Sequence, residues 1–174
     1  MEMKSGSDVK TMGSGFIVSV AGYVVTNYSI VDAAGGVKNL EMKLPTGETV
    51  KVKQVISTDQ ELDLAVLAFE PAKNMSAVGL GHVDVRAGEK VKIVNSPAEI
   101  KGLKTLPDGR QLIEMTAPIP VTSSGGPVFN SAGQIVCVVV AKVRNAEGQR
   151  YCVPIRDVIP NLEGVPDVQI ATTK

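Results

Sequence analysis

Hydrophobic and polar residues alternate in short stretches along the chain. In Leu40–Leu44 apolar side chains alternate with charged ones, a turn follows at Pro45–Glu48, and Val50–Lys53 alternates again. A period of two on both sides of a tight turn predicts a half-buried β-hairpin. The apolar runs 16–18 and 21–26, the second opened by a glycine turn, predict another hairpin nearer the N-terminus.

More continuous apolar runs, separated by glycine or proline turns, predict the remaining strands. They lie at 62–67, 91–94, 112–115, 127–129, 134–142 and 150–153. About ten strands at intervals of roughly 8 to 15 residues indicate an all-β barrel or sandwich. Only two short stretches, 31–34 and 155–162, have a helical pattern, and Pro160 interrupts the second.

Composition narrows the class of protein further. Aromatic residues make up 3% of the 174 residues, and 17 glycines and 10 prolines fit short strands joined by tight turns. The 18 basic residues balance 18 acidic ones, which argues against a nucleic-acid-binding domain. No apolar run in the sequence is long enough to span a membrane. We therefore expect one compact all-β domain.

The cysteine and histidine content bears on metal binding and on cross-linking. Two cysteines and a single histidine, His82, are too few for a structural zinc site, so neither a metal nor another cofactor is expected. A symmetric hairpin would place Cys137 opposite Cys152, and Val139 opposite Arg150, close enough for a disulfide. A disulfide and a pair of reduced core cysteines are the two alternatives.

The most specific motif is Thr-Ser-Ser-Gly-Gly-Pro-Val at 122–128, between two predicted strands. The less favoured alternative is an ordinary serine and glycine turn. The motif is accompanied by Gly-Ser-Gly-Phe, Thr-Asn and Asp-Leu-Ala upstream and by Gly-Gln-Ile-Val and Cys-Val-Pro-Ile downstream, at 13–16, 26–27, 63–65, 133–136 and 152–155. In this order and spacing, residues 12 to 162 resemble the protease domain of the HtrA/Deg family of trypsin-like serine proteases.

The resemblance implies a fold and a division of the chain. We expect two tandem six-stranded antiparallel β-barrels, the trypsin-like fold, with a short terminal helix and an active site in the cleft between the barrels. The first barrel is expected over about 12–85 and the second over about 86–162. Residues 1–11 would be an N-terminal tail or an expression remnant, and 163–174 a C-terminal tail. The N-terminus shows no signal peptide, but the family implies the cell envelope or periplasm.

The resemblance also assigns the catalytic positions, and one of them has changed. The family's Thr-Asn-x-His-Val-Val motif, whose histidine is the general base, reads Thr-Asn-Tyr-Ser-Ile-Val here, so Ser29 stands at the histidine position. Asp63 matches the acid of the triad and Ser124 matches the nucleophile. A serine hydroxyl needs an adjacent base, and losing the base costs about 10⁶ in turnover. Ser29 is too weak a base to replace an imidazole.

A second departure concerns the oxyanion hole. The family's Gly-Asn-Ser sequence is Thr122, Ser123 and Ser124 in this chain, and the resemblance implies that the backbone N–H groups of its first residue and its serine stabilise the oxyanion. A β-branched residue at position 122 resists positive φ, a conformation that glycine adopts freely. If one N–H donor turns away, a further factor of about 10² to 10³ is lost.

Other residues could in principle supply a base. His82 lies in the predicted connection between the barrels, where an exposed loop histidine is expected. A lysine can act as a base if it is buried beside the serine, but Lys38, Lys92 and Lys142 have polar or alternating neighbours typical of a solvated face. A histidine contributed by the substrate is a further route.

Peptide binding can persist without catalysis. In trypsin-like folds the strand after the nucleophile loop pairs with the substrate backbone. By resemblance this strand includes Val138, Val139 and Val140, and the pocket wall includes Ala117, Pro118 and Ile119. The same apolar run is also typical of a buried barrel strand, and the two interpretations are compatible.

Three hypotheses follow. The first is a catalytically inactive HtrA-like domain, a pseudoprotease with a degenerate triad, that binds peptides or a partner protein as a scaffold or regulator. The partner could be an active protease relative, and we expect a monomer. The second is an active serine endopeptidase with an unconventional base. The third is a structural interaction module with a closed cleft.

Overall fold

The structure is a computed structural model that describes residues 1–5, 10–81, 84–93, 96–116, 119–140, 144–145, 148–149 and 151–171. Its strands are β1 (Glu2–Ser5), β2 (Lys10–Ser14), β3 (Phe16–Ser19), β4 (Tyr23–Thr26), β5 (Leu40–Lys43), β6 (Thr49–Asp59), β7 (Leu64–Phe69), β8 (Lys90–Ile93), β9 (Ser96–Thr105), β10 (Gln111–Met115), β11 (Pro127–Phe129), β12 (Ile135–Val139), β13 (Arg144–Asn145), β14 (Gly148–Gln149) and β15 (Tyr151–Pro154). The α-helices are α1 (Tyr28–Ala33) and α2 (Ile155–Val158), and 3₁₀ helices lie at Val37–Asn39, Val121–Ser123 and Ile159–Leu162.

The first barrel is a seven-stranded antiparallel sheet in the order β2-β1-β5-β6-β7-β4-β3. Its two outer strands, β2 and β3, follow each other in the chain with only Gly15 between them, so the sheet curls until its edges nearly meet. Met3 is fully buried in the core of this barrel, and β1 pairs with both β2 and β5. The expectation of a tail over 1–11 is therefore corrected for residues 2–5, which form an internal strand, and for 10–11, which begin β2.

The second barrel is closed, in the strand order β10-β15-β12-β11-β8-β9. Its interior is filled by apolar residues from all six strands, among them Val91, Ile100, Ile113, Val128 and Val136. A separate apolar cluster joins the two barrels and contains residues of both, such as Val66 of β7 and Val138 of β12. The expected architecture of two tandem antiparallel barrels with a short terminal helix is confirmed.

A disulfide between Cys137 and Cys152 staples β12 to β15 inside the second barrel. The register differs from the predicted one, because Val139 pairs with Cys152 and Cys137 pairs with Pro154. The cysteines are therefore diagonal neighbours on one face of the sheet, with their Cα atoms 5.7 Å apart. The prediction that Cys137 lies directly opposite Cys152 was wrong, while the disulfide alternative is the one that the structure contains.

The segment between the barrels and the end of the chain pack against each other. Leu80, in the connection between β7 and β8, bridges in parallel to Ile135 on one side and to Ile170 on the other. Val165 and Val168 pack against the apolar cluster between the barrels. The stretch 163–171, expected as a tail, thus covers part of the barrel junction. Within the described residues, no helix is both long and apolar enough to cross a bilayer.

Candidate active site

Ser29 lies in the first turn of α1, which begins directly after β4. Its backbone N–H donates to Oδ1 of Asp63 at 2.7 Å, and its hydroxyl donates to Oδ2 of the same carboxylate at 2.9 Å. The side chain is half-buried. The structure therefore brings two of the three predicted triad positions into direct contact, and Ser29 uses its hydroxyl to hold the Asp63 carboxylate.

Asp63 is 1% exposed and sits at the end of the turn between β6 and β7. Its φ is 57°, in the left-handed region that costs most residues about 1 to 2 kcal/mol but that Asp and Asn tolerate better. The Asp63 carbonyl accepts hydrogen bonds from the Tyr28 backbone N–H at 3.1 Å and from the Asn27 amide at 2.9 Å. Contacts from α1 and from Asn27 before it thus fix both the backbone and the side chain of Asp63.

Asn27 connects the two barrels at the site, a role that sequence reasoning missed. Its side chain is fully buried, and its Nδ2 donates to the carbonyls of Asp63 in the first barrel and Val139 in the second. Its Oδ1 has no hydrogen-bond partner among the residues that the structure describes. The Thr-Asn dipeptide before Ser29 was the available signal, since a buried amide commonly satisfies backbone groups that the sheet leaves open.

Ser124 is held in the loop between the Val121–Ser123 3₁₀ helix and β11. Its carbonyl accepts a hydrogen bond from the backbone N–H of Ser14 at 2.7 Å, which ties the nucleophile loop to the first barrel. Gly125, at φ 79°, lies so close to the first barrel that a Cβ there would come within 2.4 Å of the Ser14 carbonyl oxygen and 2.9 Å of the Asn27 nitrogen. Ser124 is therefore packed beside the segment that carries Ser29, and it is 1% exposed.

Thr122 and Ser123 belong to the 3₁₀ helix instead of an open loop. The Ser123 N–H donates to the Pro120 carbonyl at 2.9 Å, and the Thr122 carbonyl accepts from the Ser14 hydroxyl at 2.7 Å. Thr122 is not among the described residues with positive φ. These contacts hold the backbone of the predicted oxyanion segment in a closed helical turn.

The predicted peptide-binding residues lie in and around β12. Val138, Val139 and Val140 are all buried, and Ile119 packs into the core of the second barrel. The Val139 N–H donates to the Gly126 carbonyl and the Val139 carbonyl accepts from the Gly125 N–H, while Val138 pairs with β11 and β15. The Val140 N–H donates to the Tyr151 carbonyl at 3.2 Å, so the backbone of all three predicted residues already makes contacts within the barrel. Ala117 and Pro118 lie outside the described residues.

The alternative bases can be placed in part. Lys38 and Lys92 are exposed, which is the opposite of the buried position that a lysine base requires. His82 and Lys142 lie outside the described residues. Within the described part of the chain, no group of three or more histidine, cysteine or acidic side chains could hold a metal ion.

The fold and the motifs together define a class of protein. The family model of the trypsin-like peptidase domain matches residues 13–138. Solved structures share the fold: the HtrA-type protease AlgW with decapeptide has a TM-score of 0.75 at 23% identity and covers 92% of this chain and 53% of its own. Deg5 has a TM-score of 0.72 at 23% identity and covers 94% of this chain and 88% of its own. The chain is a trypsin-like peptidase domain in its fold.

Curated relatives narrow the class to one family. Serine protease HTRA3 of Mus musculus is 31% identical over 162 residues, which are 82% of this chain and 35% of that protein. The probable periplasmic serine endoprotease DegP-like of Pseudomonas savastanoi is 29% identical, over 85% of this chain and 33% of that protein. The chain belongs to the HtrA/Deg family of trypsin-like serine proteases. It spans about a third of the length of the curated relatives it matches.

Proposed function

We propose that this chain is a catalytically inactive HtrA-like domain, a pseudoprotease that binds peptides or a partner protein as a scaffold or regulator. The observation that carries the proposal is the contact between Ser29 and Asp63. The carboxylate that would orient a histidine in an active triad accepts hydrogen bonds from the amide and the hydroxyl of Ser29. A serine at this position does not supply the proton acceptor that Ser124 needs.

The length of the side chain explains why Ser29 is no substitute. In a working triad one imidazole nitrogen faces the carboxylate and the other faces the nucleophile, so a single ring spans the gap between them. Serine has one polar atom, and here its proton is directed at Asp63. Ser124 would then keep its own proton and remain a weak nucleophile, at a cost of about 10⁶ in turnover.

The nucleophile loop supports the same proposal. The closed turn over Val121–Ser123 holds Thr122, whose N–H is one of the two expected oxyanion donors, in a 3₁₀ helix. An oxyanion needs the N–H groups of Thr122 and Ser124 to point into the cleft, and the proposal holds that this turn keeps the first of them away from it. Ser124 is 1% exposed, so a substrate carbonyl carbon would reach its hydroxyl only after the loop moves.

Peptide binding does not require a catalytic base, so a domain of this family that has lost catalysis can still bind peptides. The structural neighbour AlgW is described with a decapeptide, and an added β-strand is the corresponding mode for this chain. The N–H groups of Val139 and Val140 are already bonded to the Gly126 and Tyr151 carbonyls, so a strand added at β12 would have to displace one of these contacts. An active protease relative is one candidate partner. The DegP-like relatives support a place in the cell envelope or periplasm.

Labelling with a fluorophosphonate probe tests the catalytic half of the proposal. The purified domain, its Ser124→Ala variant and an active HtrA protease are incubated with the probe and analysed by intact mass. We expect no adduct on the domain under conditions that label the active protease completely. An adduct on the native domain that Ser124→Ala abolishes would establish the alternative, an active serine endopeptidase with an unconventional base.

A displayed peptide library tests the binding half. Binders are expected whose affinity falls in Val140→Glu and is kept in Lys73→Glu, an exposed control. Because Val140 is buried between the barrels, the comparison counts only if Val140→Glu keeps the melting temperature of the native domain. The 1% exposure of Ser124 favours the closed-cleft alternative as the second candidate function. Binding that ignores Val140→Glu and maps to an outer barrel face would support that alternative.

A restoration series tests whether the chemistry was lost at the named positions. Ser29→His is made alone and then together with Thr122→Gly and Ser123→Asn. Proteolysis that appears in the triple variant and disappears when Ser124→Ala is added would show that the scaffold is otherwise competent.

A further inference from the structure

Arg110 carries an unusual concentration of ionic contacts at the junction of the two barrels. It closes the hairpin between β9 and β10, in the second barrel. Its guanidinium contacts Asp108 of the same hairpin at 2.6 Å, Asp59 at 3.5 Å, and Glu61. Asp59 and Glu61 belong to the first barrel, so one cation from the second barrel holds two carboxylates of the first.

Asp59 and Glu61 flank the turn that delivers Asp63 to the candidate site. Asp59 ends β6, and its Oδ1 accepts from the backbone N–H groups of Glu61 at 3.1 Å and Leu62 at 2.9 Å. Its other oxygen, Oδ2, is the one that faces Arg110. The Asp59 carboxylate therefore shapes the turn with one oxygen and joins it to the second barrel with the other.

The 59–63 turn matters because it ends at Asp63 and sets the backbone conformation of that residue. At φ 57° the residue is in a conformation that the neighbouring structure must impose. From the α1 side it is fixed by Ser29, Tyr28 and Asn27. From the opposite side the turn is fixed by Asp59, and Asp59 is fixed by Arg110.

We infer that Arg110 is a positioning residue, which clamps the 59–63 turn to the hairpin of the second barrel and so holds the Asp63 carboxylate against Ser29. The inference concerns the geometry of the site and is independent of whether the site is active. It identifies a specific contact through which the second barrel determines the geometry of a carboxylate in the first.

The electrostatics of the cluster agree with a clamp. Hydrogen bonding to Asp108 raises the pKa of Arg110, and the same guanidinium lowers the pKa of the Asp108 carboxyl. The Arg110 side chain is 28% exposed and Asp59 26%, so this pair is less screened than an ordinary surface pair. A planar guanidinium can bond several carboxylates at once, which a lysine ammonium does with less directional restraint.

Hydrogen exchange at the Ser29 amide tests the inference, since this N–H donates to Asp63 Oδ1. It is measured by NMR in the native domain, in Arg110→Gln and in Arg110→Lys, with the Val138 amide as the report on global opening. Arg156→Gln is the matched control, because the ionic and hydrogen-bond partners of Arg156 among the described residues are Asp84, Asp157 and Gln111, none of which belongs to the 59–63 turn. Glu61→Gln, at an exposed acid, is a milder variant should Arg110→Gln fold poorly.

We expect Arg110→Gln to accelerate Ser29 exchange about tenfold beyond any change at Val138, and to move the Ser29 amide proton upfield as its hydrogen bond lengthens. Ser29 exchange should be slower in Arg110→Lys than in Arg110→Gln. Glu61→Gln should accelerate Ser29 exchange about threefold, and Arg156→Gln should leave it unchanged. Equal acceleration at Ser29 and Val138, or the same effect from Arg156→Gln, would mean that Arg110 only stabilises the fold as a whole. Either result would overturn the inference.

Discussion

Ser29 donates two hydrogen bonds to the buried Asp63 carboxylate, one from its amide and one from its hydroxyl. Asp63 follows a sharp turn and Ser29 opens a helix, 34 residues apart in the chain. The contact links the two ends of the site in the first barrel. Its loss should lower the free energy of unfolding, which can be measured even if the domain has no activity.

Changing Ser29→Ala removes the hydroxyl donor and leaves the amide in place. Hydrogen bonds to charged groups contribute about 1.5 to 3 kcal/mol, so we expect a loss of that size in the free energy of unfolding measured with urea. Ser131→Ala, at an exposed turn, should change stability by less than about 0.5 kcal/mol. Equal, small effects at both positions would mean that the Ser29 hydroxyl does not hold Asp63 in solution.

Gly125 and Gly133 are a matched pair of positions for testing how closely the loop around Ser124 packs against the first barrel. Both have positive φ, 79° and 76°, but a Cβ at Gly125 would meet Ser14 and Thr26 within 3 Å, whereas at Gly133 nothing lies within 4 Å. Gly133→Ala should cost about 1 kcal/mol for the backbone conformation alone. Gly125→Ala should cost about 3 kcal/mol or more, since it adds overpacking against the first barrel. Similar melting temperatures for the two variants would contradict the close approach of this loop.

The Cys137–Cys152 disulfide closes a loop of 15 residues. Loop-closure entropy of this length corresponds to about 3 kcal/mol, so reduction should lower the unfolding midpoint clearly. Intact mass under non-reducing conditions should be about two daltons below that of the dithiol form. A variant with Cys137→Ala and Cys152→Ala controls for the reductant and should not respond to it. A dithiol mass in protein prepared under oxidising conditions would contradict the pairing.

Asp157, in α2, should make stability fall as pH rises. Burial raises the pKa of its carboxyl, which outweighs the opposing effect of Arg156. Between the unfolded pKa and this raised value the folded state binds more protons, so the ionised group destabilises the fold above that range. Asp157→Asn should therefore raise the melting temperature by about 1 to 3 °C near pH 7, and the gain should vanish at acidic pH. The exposed Glu163→Gln is the control. A gain that persists unchanged at low pH would contradict the assignment to this proton.

The alternation of apolar and polar residues predicted the strands, because it depends on local sequence. The order of the motifs predicted the two barrels through the family resemblance. The hairpin of β5 and β6 follows the alternation at Leu40–Leu44 and Val50–Lys53, although β6 continues to Asp59. The helix predicted at 155–162 is α2 followed by a 3₁₀ turn, and the one predicted at 31–34 begins earlier, at Tyr28. The strand predicted from Leu62 begins only at Leu64, because Asp63 takes a left-handed conformation that the apolar pattern cannot reveal.

Long-range register and polar contacts were beyond the sequence. The predicted register paired Val139 with Arg150, whereas the ladders pair Val139 with Cys152 and Arg144 with Gln149, so the turn lies further along the chain than the symmetric hairpin placed it. The short strand β1 has one fully buried side chain, Met3, and therefore no recognisable pattern. The motifs predicted the positions of Ser29, Asp63 and Ser124, but only the structure shows that Asn27 and Arg110 join the first barrel, which carries Ser29 and Asp63, to the second.

Turnover of unfolded casein tests the central claim most directly. The native domain and its Ser124→Ala variant are incubated with casein, and fragments are quantified over time beside an active HtrA protease. The account predicts no accumulation of fragments above the Ser124→Ala level, because a serine at position 29 does not supply the imidazole base of the triad mechanism. Steady cleavage by the native domain that Ser124→Ala abolishes would contradict it.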